Sequence, residues 1–203
     1  MEGLRSLFFF RKTMIRIQSG LIKGKSLPLP DPKRVRPTSA KVRSAILNML
    51  QKDLPGSVFW DLFAGSGAVG LEAYSRGAST VLFLDRDRHA VESLEQWVVR
   101  EIPDHAGHFS FRVSDAITFL AAPPPELSPS ILFLDPPYHY AHWSGLLNEV
   151  CRNGKLGANF LLVLEYHHKD PLPWGSLPDW GCQILSHHIY GESGVSLLAS
   201  SAR

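Results

Sequence analysis

Residues 58–70 read Val58-Phe59-Trp60-Asp61-Leu62-Phe63-Ala64-Gly65-Ser66-Gly67-Ala68-Val69-Gly70. An apolar run stops at a carboxylate, a glycine turn follows, and a helical stretch runs from Ala68 to Arg76, where Gly77 ends it. Glycine closes helices because it enters the left-handed region without a Cβ penalty. The same rhythm returns downstream. Thr80 to Leu84 is apolar and ends at Asp85, and Asp87 is placed to cap a helix carrying Val91, Leu94 and Val98 on one face. Phe109 to Val113, Ile131 to Leu134 and Phe160 to Leu164 read as further strands, with helical segments at Ala116 to Leu120 and Trp143 to Arg152. Strands alternating with helices predict a mostly parallel sheet covered on both faces. Cys182 to Tyr190 and Val195 to Leu198 flank Gly191-Glu192-Ser193-Gly194 and predict a closing antiparallel hairpin, which brings the sheet to seven strands.

In open α/β sheets ligands bind beyond the carboxyl ends of the strands. Asp61, Asp85, Asp115, Asp135 and Glu165 all stand at predicted strand ends and together would line a crevice. Some of them could equally cap a helix or turn. The Gly65-Ser66-Gly67 turn lets backbone approach a ligand. Asp85, 24 positions after Asp61, suits ribose hydroxyls, so a dinucleotide remains compatible with the glycines alone. Asp135-Pro136-Pro137-Tyr138 is more specific. Two prolines hold the Pro136 carbonyl at a fixed angle beside the Asp135 carboxylate. These two acceptors can grip an exocyclic amino group, and Tyr138 can stack on a flat base.

Outside the sheet, charge is unevenly divided. Residues 1–52 hold 12 of the 21 Lys and Arg against two acidic residues, a net of +10. The remainder holds nine basic and 17 acidic residues, a net of −8. A basic front on an acidic body fits an arm that meets a polyanion. Lys23, Lys25, Lys33, Arg34, Arg36, Lys41 and Arg43 are its candidate phosphate contacts. The arm reads as a small hairpin from residue 14 to Pro30, then a basic loop closed by Pro37, then a helix capped by Thr38 or Ser39. Its Ile46 and Met49 are expected to pack on the body. Residues 1–55 are thus read as a basic extension and 56–203 as the catalytic domain, with the first 13 residues a loose segment ahead of Met14. Cys151 and Cys182 are too few for a disulfide scaffold and suit a reducing compartment. No Cys/His cluster stands at zinc-ligand spacing, so no metal is expected. No apolar run approaches the roughly 20 residues of a membrane span. A cytoplasmic monomer is the expectation.

Residues 61–78 resemble the S-adenosylmethionine loop of the bacterial RsmD family, which methylates a guanine N2 of small-subunit ribosomal RNA. Arg36-Pro37-Thr38 with Val42-Arg43, the front segment from Arg16-Ile17 to Pro30, the Asp135–Tyr138 tetrad and the ending Tyr190-Gly191 with Val195-Ser196-Leu197 resemble it too. The tetrad alone is shared with adenine-N6 methyltransferases. The resemblance spans residues 14–200 and implies a Rossmann-like class I S-adenosylmethionine-dependent methyltransferase fold. It implies that Asp61, Phe63, Ala64, Gly65, Ser66 and Gly67 hold the methionine end of the cofactor, and that Asp85 holds the ribose. Arg86 and Ala116 would border the adenine, whose amino group Asp115 would receive. Asp135, Pro136, Pro137 and Tyr138 would hold the target base. Arg36, Thr38 and Arg43 would face the RNA, which would be 16S rRNA on an assembling 30S particle. Two other readings stay open on the residues: an adenine-N6 methyltransferase and a non-catalytic rRNA-binding assembly factor.

Overall fold

The computed structural model describes residues 14–28, 38–124, 128–152, 156 and 159–200. The loose segment ahead of Met14 and the basic residues Lys33, Arg34 and Arg36 lie outside the described residues. A two-stranded arm opens the chain, β1 (Met14–Arg16) pairing antiparallel with β2 (Ser26–Pro28). Helix α1 (Ala40–Met49) follows, and the Ser39 hydroxyl accepts the Val42 N–H at its start. Then come β3 (Val58–Asp61), α2 (Ala68–Ser75), β4 (Thr80–Asp85), α3 (Arg88–Glu101), β5 (Phe109–Val113), α4 (Ala116–Ala121), β6 (Ile131–Leu134), α5 (Trp143–Arg152), β7 (Leu161–His167), β8 (Cys182–Tyr190) and β9 (Ser193–Ser200).

The large sheet has the order β5-β4-β3-β6-β7-β9-β8. The first five of these are parallel, and β9 joins β7 antiparallel with β8 at the edge. This is the expected class I methyltransferase sheet with its terminal hairpin. The chain leaves β3 toward β4 and β5, then returns to start β6 on the other side. The strand order therefore reverses between β3 and β6, the place where such sheets open a crevice.

Alternation along the strands sorts the core into two layers. Phe59, Phe83, Phe133 and Val163 point to one face and pack with α1, α2 and α3. Trp60, Leu82, Leu84, Leu132, Leu134, Leu162 and Leu164 point to the other and pack with α4 and α5. The arm is part of the first layer, because Ile17, Ile22, Leu27, Val42, Ile46, Leu47 and Leu50 are buried in that cluster. Met49 packs against the same cluster from a partly buried position.

Polar contacts pin the arm to α2. The Leu21 N–H donates to the Ser75 carbonyl (2.7 Å), and the Ile22 N–H donates to the Ser75 hydroxyl (3.0 Å). Gly20 has φ +84°, and a Cβ there would sit 1.7 Å from the Ser75 carbonyl oxygen, so only glycine fits.

Two expectations change. β7 runs on to His167, so Glu165 lies inside the strand opposite Val195 instead of at its end. Cys151 and Cys182 are joined by a disulfide between α5 and the start of β8, which the small cysteine count did not anticipate. Among the described residues no helix is long and apolar enough to cross a membrane.

Candidate active site

At the β3/β6 reversal lies a cavity of about 630 Å³. Its wall includes Asp61, Phe63, Ala64, Gly65, Ser66, Asp85, Arg86, Asp115 and Ala116 on one side, and Thr38, Asp135, Pro136, Pro137, Tyr138 and Glu165 on the other. Nearly every sequence-derived site residue of the body is thus gathered in one place.

Gly67 does not face the cavity. It starts α2 in the left-handed region, and a Cβ there would strike Leu94, so its role is to let the loop close onto α3. Gly70 presses likewise on Phe83 and Val81, which seats α2 against the sheet.

The carboxylates differ in their surroundings. Asp61 is buried and accepts the Gly70 N–H through Oδ2 at 3.2 Å. Burial pushes its carboxyl up to about 7, opposed by the Gly70 N–H and assisted by the negative charge of Asp85. Its Oδ1 is buried without a hydrogen-bond partner among the described residues. Asp85 accepts the Gly65 N–H through Oδ2 (2.8 Å) and the Asp87 N–H through Oδ1 (2.9 Å), tying the glycine loop to the end of β4. Asp115 caps α4 through Oδ1, which accepts the Ile117 and Thr118 N–H groups, so here the capping role and the cavity position coincide.

Asp135 keeps one face on the cavity and is otherwise surrounded by protein. Burial raises its carboxyl well above the usual carboxylate range, and Glu165 and then Asp61 add to this by like charge. The Thr38 hydroxyl donates to Asp135 Oδ2 at 2.9 Å and opposes the rise.

Glu165, brought inward by the longer β7, accepts from the Ser193 hydroxyl (3.0 Å), which lies 3.0 Å from the Tyr138 hydroxyl. β9 therefore contributes to the site through Ser193. No local motif marks Ser193; only its pairing opposite His167 brings it there.

The basic front divides on inspection. Lys23 and Lys41 are exposed. Lys25 is part-exposed, and its ammonium donates to the Glu101 carbonyl at 2.7 Å. Thr38 reaches the cavity and bonds Asp135. Arg43 corrects the expectation of an RNA-facing side chain. It is 2% exposed, its Nε is 2.7 Å from Glu72 Oε2, and its Nη2 donates to the Arg16 carbonyl. The guanidinium that reads as a phosphate contact instead fastens the arm to α2.

These residues fit a nucleoside cofactor that carries positive charge. A deep cavity, a glycine loop tied to Asp85 and a buried carboxylate with an unpartnered oxygen suit ribose hydroxyls and a cationic group.

The family described as "Conserved hypothetical protein 95" matches residues 15–198. The chain belongs to this family. It is 30% identical over 183 residues to Ribosomal RNA small subunit methyltransferase D of Haemophilus influenzae, covering 88% of this chain and 94% of that one. It is 34% identical over 161 residues to the protein of the same name in Escherichia coli strain K12, covering 78% of each. The solved structure of yhhF from Escherichia coli superimposes with a TM-score of 0.78 at 28% identity, over 94% of this chain and all of that one. Fold, cavity and relatives make this family member an enzyme of the S-adenosylmethionine-dependent methyltransferase class.

Proposed function

We propose that the chain methylates the exocyclic N2 of a guanine in 16S rRNA, on an assembling 30S particle in the cytoplasm, with S-adenosylmethionine as donor and S-adenosylhomocysteine as product. The observation that carries this is the Asp135–Tyr138 tetrad on the wall of the same cavity as the glycine loop, with Thr38 of the basic front bonded to Asp135. The relatives named for small-subunit rRNA support the choice of substrate.

When bound, S-adenosylmethionine supplies a methyl group on a sulfonium, an electrophile that needs no further activation. The residues of the chain orient the nucleophile. Asp61, Phe63, Ala64, Gly65 and Ser66 would hold the methionine end, Asp85 the ribose, and Arg86, Asp115 and Ala116 the adenine. The Asp135 carboxylate and the Pro136 carbonyl accept hydrogens of the target amine, favouring a pyramidal nitrogen with its lone pair released from the ring. Tyr138 stacks on the base. Asp135, raised by burial and by Glu165, is suited to take the proton that the nitrogen loses. Alignment of two reactants contributes the rest. Lys23 and Lys41 contribute salt-sensitive backbone affinity without choosing the base, and Lys33, Arg34 and Arg36 are proposed to do the same.

The test is incubation with labelled S-adenosylmethionine and either 30S particles or bare rRNA, followed by mass spectrometry of the nucleosides. N2-methylguanine on small-subunit rRNA is expected. N6-methyladenine would overturn the choice of base, and cofactor binding without transfer to any RNA would favour the assembly-factor reading.

A further inference from the structure

Beside the tetrad, outside the cavity wall, three side chains converge that the methyl transfer does not use. His139 follows Tyr138 directly, His167 ends β7, and Asp170 lies in the turn beyond it. Each offers one ligand atom, and the three atoms lie within 4.8 Å of one another. Asp170 has a side chain only 2% exposed, and both its oxygens turn to His139. Oδ2 accepts the backbone N–H at 3.2 Å, and Oδ1 lies 3.0 Å from Nδ1. His139 itself is 76% exposed, so its ring stands at the rim of the cluster, facing solvent. The His167 ring lies 5.1 Å from that of His139 and 5.0 Å from that of Tyr138.

We infer that His139, His167 and Asp170 form a site for a divalent transition-metal ion of the zinc class, with three protein ligands and one position open to solvent. The donor set selects the class. Magnesium and calcium take oxygen ligands, whereas two imidazoles with one carboxylate suit zinc and its neighbours. Tetrahedral coordination at about 2.1 Å places neighbouring ligand atoms about 3.4 Å apart. The His139–Asp170 pair is already near that spacing. The remaining contraction lies between that pair and the half-buried His167, and it closes by rotation of the His167 ring. A metal ion would also neutralise a carboxylate that is shut away from water. It would join the residue after Tyr138 to the ring packed edge-on against Tyr138. Metal occupancy thus fixes the aromatic wall of the base site and leaves the cofactor wall untouched.

The full chain, stripped with a chelator, is titrated with zinc chloride and separately with cobalt chloride, using calorimetry and the visible absorption of cobalt. One ion per chain is expected, with a cobalt spectrum of low coordination number. His139→Ala and His167→Gln should each weaken binding by about 100-fold or more. His142→Ala and His188→Ala, exposed histidines outside the cluster, should leave it unchanged. S-adenosylmethionine affinity should be the same with and without zinc, a readout that does not depend on which RNA is methylated. Absence of stoichiometric binding, or binding of undiminished strength in His139→Ala, would overturn the inference and leave the trio as a hydrogen-bonded loop clasp. Asp170→Asn is the weaker probe because its buried side chain also holds the loop; His139→Ala, being exposed, decides.

Discussion

Replacing Arg43 with alanine separates two roles that one residue could serve. In the structure Arg43 is sealed in the interior, with Nε 2.7 Å from Glu72 Oε2 and Nη2 3.0 Å from the Arg16 carbonyl. Glu72 is fully buried, and its other oxygen is held by Arg76 at 2.9 Å. Removing one partner of such a pair leaves a buried charge undercompensated, at a cost of about 3–5 kcal/mol. At about 2–4 °C per kcal/mol for a chain of this size, Tm should fall by about 6–20 °C. Circular dichroism melts measure this, and fluorescence anisotropy against rRNA over a salt series measures the other role. The expected result is a large fall in Tm with the slope of log affinity against log salt unchanged. Glu72→Gln added to Arg43→Ala should recover part of the loss, because the amide removes the undercompensated charge while its oxygen can still accept from Arg76. A Tm within about 1 °C of the parent, with a salt slope reduced by about one unit, would refute the fastening role and restore the phosphate contact.

Other outcomes follow from the same contacts. Asp61 loses its proton near 3.8 when unfolded and near 7 when folded, so between these values the folded state holds more protons and stability falls as pH rises, levelling off above about 7. The difference in Tm between the parent and Asp61→Asn should follow that slope, and a flat difference from pH 4 to 8 would contradict the assigned burial. Asp135→Asn should lower kcat by about 10²–10⁴-fold with S-adenosylmethionine affinity nearly unchanged. Thr38→Val should lower kcat by about 10-fold or more through loss of one hydrogen bond to a carboxylate; an effect confined to KM for RNA would count against its place beside Asp135. Gly20→Ala should cost at least about 1–3 kcal/mol, since φ is +84° and the Cβ meets the Ser75 carbonyl. Gly107→Ala, with nothing within 4 Å, is the control and should leave Tm unmoved.

Local signals carried much of the architecture. The helix expected from Trp143 to Arg152 has those bounds, with Trp143, Leu146, Leu147 and Val150 on its buried face. Asp87 and Asp115 cap the helices they precede. What stayed hidden depends on partners distant in sequence. Arg43 sits in a basic run, and its burial rests on Glu72, a whole strand further on. Glu165 looks like a strand terminus because a carboxylate interrupts an apolar run; the strand continues because β9 pairs past it and Ser193 donates to one of its oxygens. His139 and His167 come from segments that only the adjacency of β6 and β7 unites, so no ligand spacing could disclose them. The Cys151–Cys182 bridge likewise needs α5 and β8 to be placed first.

The position of β9 sets the order in which the contacts around the cavity are completed. It is the last strand of the sheet to be synthesised, yet it inserts between two strands made earlier, and its Ser193 links Tyr138 to Glu165. A nascent chain that has already formed the glycine loop, the tetrad and the basic arm still lacks this link, and the edge of β7 is still unpaired. Translation order thereby leaves the Tyr138–Ser193–Glu165 link for last, since it can form only once the final strand has seated between β7 and β8.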